Sequence, residues 1–214
     1  LKFAGTHVLF DGEFRQDAAV VVGVSGPFRR AMLRIHHFEP TDRILVVTAS
    51  IPQERIICEL DGEPALERYA AAIGRPADSI NEADFIGNPL LLRFGDSSHA
   101  RSVQRVLDNG ALKLYCAVED GLVLRIGKAR NPLECVASAL NEARAKLGNR
   151  EIDGILGFEC LLRRIEFERR ALTKQVGDLY ESCRVFGFCT YGEQIDCLHV
   201  NQTFTGVAFA SLGN

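Results

Sequence analysis

The chain has 214 residues, 47% of them hydrophobic and 25% charged, an ordinary soluble-protein balance long enough for one large domain or one and a half small ones. Its net charge of −3 offers no electrostatic platform for nucleic acid or an anionic membrane. No apolar run approaches the roughly 20 residues of a spanning helix, and the opening LKFAGTHVLFDG has neither the charged nor the apolar region of a signal peptide.

Residues 5–25 place two β-rich runs around DGE, a hairpin signal. ILVVTAS (44–50) and ERIICEL (54–60) form a second strand pair around a proline-containing turn. DGEPALERYAAAIG (61–74) then switches to helical spacing, with Asp61 as candidate cap, Pro64 in the first turn, Gly74 as the stop and Ala65, Leu66, Tyr69, Ala72 and Ile73 on the buried face. This helix is the expected domain boundary.

Strands return at 88–95, 101–107, 111–118 and 122–127. DNG (108–110) and EDG (119–121) are tight-turn signals, and the block reads as an antiparallel meander. NPLECVASALNEARAKLG (131–148) is a helix capped by Asn131 and ended by Gly148. The apolar DGILGFEC (153–160), the amphipathic stretch 161–180 and RVFGFCT (184–190) make a strand–helix–strand unit with parallel strands. HVNQTFTGVAFA (199–210) reads as one final strand. The fold class is therefore α+β (mixed α/β), an antiparallel meander plus one parallel βαβ unit.

Ligands in open sheets sit beyond the carboxyl ends of parallel strands. That rule brings Glu159, Cys160, Arg163 and Arg164 after the first strand together with Thr190, Tyr191, Gly192, Glu193 and Gln194 after the second. Gly192 would permit close backbone approach. The period of two puts His199, Asn201, Thr203 and Thr205 on one face of the last strand, joined by Cys197 if the strand starts early. That face is expected to be a pocket wall.

The seven cysteines are odd in number and lack CxxC spacing, so they read as reduced, buried thiols of a cytosolic protein. Cys183-x5-Cys189-x7-Cys197-x-His199 is not a recognised zinc pattern. A nucleophilic cysteine, Cys160 or Cys189 paired with His199, is the enzymatic alternative, although no papain-like or G-x-S-x-G signature is present. P-loop and dinucleotide fingerprints are absent. His36–His37 reads as a surface or loop pair. Met32 is the only methionine, and the chain reads as a fragment.

ELDGEPALERY, DGILGFEC with its following arginines, FGFCTYGEQ and HVNQTFTGVAF together resemble the FIST family of intracellular signal-transduction sensor domains. The resemblance runs from about residue 60 to 210. It implies closing strands of an N-terminal part over 1–59 and a C-terminal FIST domain over 60–214. It also implies a cytoplasmic, non-catalytic, small-molecule-binding module of bacterial sensors. The implied output partners are a histidine kinase, a cyclic-dinucleotide enzyme or a chemotaxis receptor, with no nucleic acid and no membrane.

The ending HVNQTFTG is most similar to a haem-binding, nitric-oxide-sensing branch. It makes His199 the candidate axial ligand to haem iron, with the arginines after 153–160 pairing to propionates. An amino-acid ligand is the other implied occupant, its carboxylate on Arg163 and its ammonium on Glu193. A structural half-domain with exposed edges is the third class of reading.

Overall fold

Two sheets divide the chain in the computed structural model, which describes residues 5, 7–95, 97–195 and 198–212. The hairpin β1 (Val8–Phe10) and β2 (Glu13–Arg15) comes first, turning at Asp11 and Gly12, both with positive φ. Strands β3 (Phe28–Ile35), β4 (Phe38–Ile51), β5 (Ile56–Leu60) and β6 (Glu63–Pro64) lead into helix α1 (Ala65–Ile73). Helix α2 (Glu82–Gly87) precedes β7 (Leu90–Phe94), β8 (Ser97–Arg101), β9 (Val103–Val106), β10 (Leu112–Leu114) and β11 (Val123–Ala129). Helix α3 (Pro132–Lys146) is followed by β12 (Gly154–Cys160), α4 (Leu161–Arg169), α5 (Thr173–Ser182) and β13 (Val185–Thr190). The remaining strands are β14 (Glu193–Ile195), β15 (Leu198–Val200) and β16 (Phe204–Ser211).

The large sheet has the order β8-β7-β11-β4-β5-β10-β9, with β6 on β5, and all its pairs are antiparallel. The small sheet has the order β13-β12-β16-β3. Its β12 and β13 run parallel across the two-helix crossover, as the strand–helix–strand spacing predicts. The mixed α/β class, antiparallel sheets with one parallel segment, is thus observed.

Local corrections have physical causes. Gly121 donates its N–H to Val47 O, and the EDG turn delivers the chain from β10 to β11, which are not neighbours, because β4 and β5 lie between them. Asp61 does not cap α1; it sits at positive φ and binds Val46 N and Arg68, while Pro64 holds the cap position. The stretch 161–180 is two helices, broken where Ala171 takes a positive φ. Residues 199–210 are not one strand either. Gln202 takes a φ of 53°, so β15 pairs with β14 and the chain then crosses into the small sheet as β16. The simple face alternation therefore fails, and Asn201, Gln202, Thr203 and Thr205 are all buried.

Each sheet has its own core. Leu45, Ile57, Leu60, Tyr69, Leu112 and Leu124 centre the large-sheet cluster under α1. Leu33, Ile35, Val136, Leu140, Ile155 and Ala208 centre the small-sheet cluster under α3 and α5. The opposite face of the small sheet is open, and Met32, Phe186 and Phe188 are more than half exposed.

Gly157 and Gly206 face each other in the register of β12 and β16, beneath the Phe204 ring. A β-carbon at Gly206 would lie 2.7 Å from Leu156 O, a backbone atom held in the ladder. Gly206→Ala should therefore destabilise the fold by roughly 1–3 kcal/mol, read as a lowered urea midpoint at unchanged slope.

Candidate functional site

The carboxyl ends of β12 and β13 open on a cavity of about 290 Å3 lined by Arg55, Gln104, Tyr115, Leu161, Leu162, Tyr191 and His199. It lies at a seam between the layers. Arg55, Gln104 and Tyr115 come from the large sheet and its turns, Leu161 and Leu162 open α4, Tyr191 precedes β14 and His199 lies within β15.

The hairpin is anchored from below. Glu193 is 5% exposed, and its carboxyl accepts from Thr190 Oγ1 at 2.5 Å and from Thr203 Oγ1. Burial pushes its pKa up to about 7, against the pull of the two threonine bonds and with a further push from the Glu159 charge. Gly192, at φ 131°, packs against the end of β15. A β-carbon there would overlap His199 Nε2 and come within 2.8 Å of Asn201 Nδ2. Asn201 is 1% exposed and neither of its amide atoms has a partner among the described residues. The neighbouring Gln202 side chain accepts from Ser102 Oγ at 2.8 Å, tying this crossover to the large sheet.

Arg163 and Glu159 belong elsewhere. Arg163 has no exposed surface and lies inside α4, so it is not a rim residue open to a ligand. Its Nε donates to Glu159 at 3.2 Å, and Tyr180 donates to the same oxygen at 2.9 Å. Arg163 Nη1 lies 3.1 Å from His37 Nδ1, and His37 Nε2 lies 2.9 Å from the Glu166 carboxylate. A guanidinium only donates, so Nδ1 must accept and Nε2–H must donate: His37 is the neutral Nε2–H tautomer. Burial drives the His37 pKa down, which Glu166 only partly offsets. Burial pushes Glu166 the other way, but His37 and Arg170 outweigh it and hold the carboxyl below its usual range. His36–His37 is therefore no surface pair; His37 is 1% exposed and joins the β3–β4 crossover to α4. Arg164 and Gln194 face solvent, Arg164 pairing with Glu168 at 2.8 Å.

Of the residues expected at the site, the structure thus gathers Tyr191 and His199 in the cavity wall. Thr190, Gly192, Glu193, Asn201 and Thr203 lie in the support beneath it. Arg55, Gln104 and Tyr115 escaped the sequence reading because a large-sheet residue carries no signal of the crossover it will face. The leucines at 161 and 162 were readable only as helix core.

Neither thiol has the setting of a nucleophile. Burial and the Glu193 charge push Cys160 up to about 11, and burial raises Cys189 as well. His199 is not among the groups that act on either thiol. Cys197 lies outside the described residues, and among those described no group of three or more His, Cys, Asp or Glu could hold a metal ion.

Haem fits these residues poorly. His199 Nε2 is packed against the Gly192 backbone, and the cavity, about 290 Å3, lies just below the roughly 300–1,000 Å3 usual for ligand sites.

Two substitutions separate support from wall. Below the unfolded value, Glu193 is protonated in both states and contributes fully; as pH rises from there to about 7 the unfolded carboxyl ionises while the buried one holds its proton, and that stability is lost. His36, held down near 4 chiefly by burial, runs the opposite way, so the difference between chains is the readout. Wild type minus Glu193→Gln stability, from urea melts, should fall by about 2 kcal/mol between acid and neutral pH. Arg163→Ala strands Glu159 and should cost roughly 3–5 kcal/mol of global stability in the same melts, an effect on folding rather than on ligand affinity alone.

Family models match the chain twice: the FIST N domain over residues 1–63 and the FIST C domain over residues 65–196. No curated protein and no solved structure matches it. Both sheets draw on both matches, since β3 edges the small sheet while β4 and β5 lie inside the large one. The chain belongs to the FIST family, whose domains are generally associated with sensory signal transduction.

Proposed function

We propose that this chain is a cytoplasmic small-molecule sensor that binds its ligand in the cavity at the seam of the two sheets and reports occupancy to an output partner. The observation that carries this reading is the seam itself. The large sheet supplies Arg55, Gln104 and Tyr115, while the α4 start and the β14–β15 hairpin supply the facing wall. A ligand touching both layers binds one spacing of them better than another, and that differential affinity is all a sensor requires. No bond-making chemistry enters, in keeping with protonated thiols at Cys160 and Cys189. The free thiols of the described cysteines favour a reducing compartment.

The output partner in this reading is a histidine kinase, a cyclic-dinucleotide enzyme or a chemotaxis receptor, the classes implied by the family. Between the two ligand classes implied by the sequence, the packing of His199 against Gly192 favours a small organic molecule over haem. An absorption spectrum with added ferrous haem should therefore show no Soret band that depends on His199.

Saturation-transfer NMR against a library of small metabolites tests the site. Hits should lose about tenfold or more in affinity in Leu162→Trp, which fills the cavity, and should weaken in His199→Ala, with both variants melting like wild type. Hits that persist unchanged in Leu162→Trp place the ligand elsewhere and end this reading.

A further inference from the structure

The charges around the cavity are one-sided. Among the described residues, Arg55 is the only formally charged side chain in its wall, and no described aspartate or glutamate lines it. The Arg55 guanidinium donates to one backbone oxygen, Tyr115 O, at 3.3 Å, and no carboxylate among the described residues pairs with it. A second guanidinium stands behind the wall. Arg101 is 8% exposed, reaches His199 O at 3.4 Å, and keeps a buried Nε without a partner among the described residues. The nearby Glu193 carboxyl lies outside the wall and is committed to two threonine hydroxyls.

The α4 start adds a third source of positive potential. Leu161 and Leu162 begin this nine-residue helix at the cavity, and the residue in its cap position, Cys160, offers the Leu162 and Arg163 amides only a thiol sulfur. The amides and dipole at such a terminus favour an anion. The rest of the wall is leucine and tyrosine, suited to an apolar body.

We propose that the cavity takes a monocarboxylate with an apolar body, its carboxylate on Arg55 at the α4 start and its body against Leu162, Tyr115 and Tyr191, and that it discriminates against α-amino acids. The discrimination follows from the described wall: the ammonium of a zwitterion would enter beside Arg55 with no carboxylate among the described lining residues to meet it, and desolvating an unpaired charge is costly. A phosphate would bring a second negative charge. Burial, with Arg101 and Arg55 nearby, pushes the His199 pKa down, so among the described wall residues Arg55 is the one side-chain cation to meet it.

This inference rests on the cavity being the ligand site. Calorimetry on the full chain with 3-phenylpropionate, 3-phenylpropionamide and phenylalanine tests the charge rule, since the three share one body. The acid should bind about tenfold tighter than the amide or the amino acid, and Arg55→Gln should erase that margin while leaving the amide unchanged. Equal binding of the amide, tighter binding of phenylalanine, an acid indifferent to Arg55→Gln, or no binding by any of the three overturns the proposal. Library hits that are neutral or zwitterionic yet vanish in Leu162→Trp would keep the cavity as the ligand site and remove only the charge rule.

Discussion

A guanidinium wholly removed from water is the constraint around which this fold is arranged. Arg163 cannot shed its proton, and burying its charge costs several kcal/mol unless partners surround it. The partners come from four places: Glu159 at the end of β12, His37 at the β3–β4 crossover, Tyr180 of α5 through Glu159, and the Phe167 ring, 4.8 Å from the guanidinium carbon. Arg163 Nη2 has no partner among the described residues, so the buried charge leans on these few contacts. The first turn of α4 is thereby fixed against the crossover between the sheets, and the cavity lies where that turn begins.

The same arrangement explains why the two family-model matches do not separate into two folded halves. The chain between β3 and β4 leaves the small sheet and enters the large one, and His37 at that step is locked into the α4 network. Strands from residues 1–63 sit in the middle of one sheet and on the edge of the other. Each half supplies hydrogen-bonding edges that the other half pairs, so neither can satisfy its backbone alone.

Under the proposed sensor function, this economy of buried charge has a use. The cavity wall on the α4 side is held by the Arg163 network, the large-sheet wall comes from β9 and the turns beside β5 and β10, and the β14–β15 strands rest on one buried carboxyl. A ligand drawing Arg55 toward the α4 start would pull the layers together across that seam. The coupling would then run through packed elements with named contacts, which is where a two-state response can reside.

The local alphabet of this fold was legible in the chain. Asn131 and Gly148 bracket α3, Gly74 stops α1, DNG turns β9 into β10, and the apolar 153–160 and 184–190 runs around a helical stretch are the parallel unit that the register confirms. These features depend on neighbours within a few residues, so sequence suffices for them. The rule that ligands gather beyond parallel strands also led to Tyr191, and the polar 199–205 run to His199, both of which line the candidate cavity. Partnership across the chain was not legible. Nothing in RIHHFEP says that His37 meets an arginine 126 residues away, nothing in PQER says that Arg55 faces a cavity, and alternation could not foresee the positive φ at Gln202 that splits the last strand. Burial and ion pairing are properties of the assembled layers. Only the tertiary structure could decide that Arg163 is an internal strut and Arg55 the exposed cation, because the two side chains are chemically identical and differ only in what surrounds them.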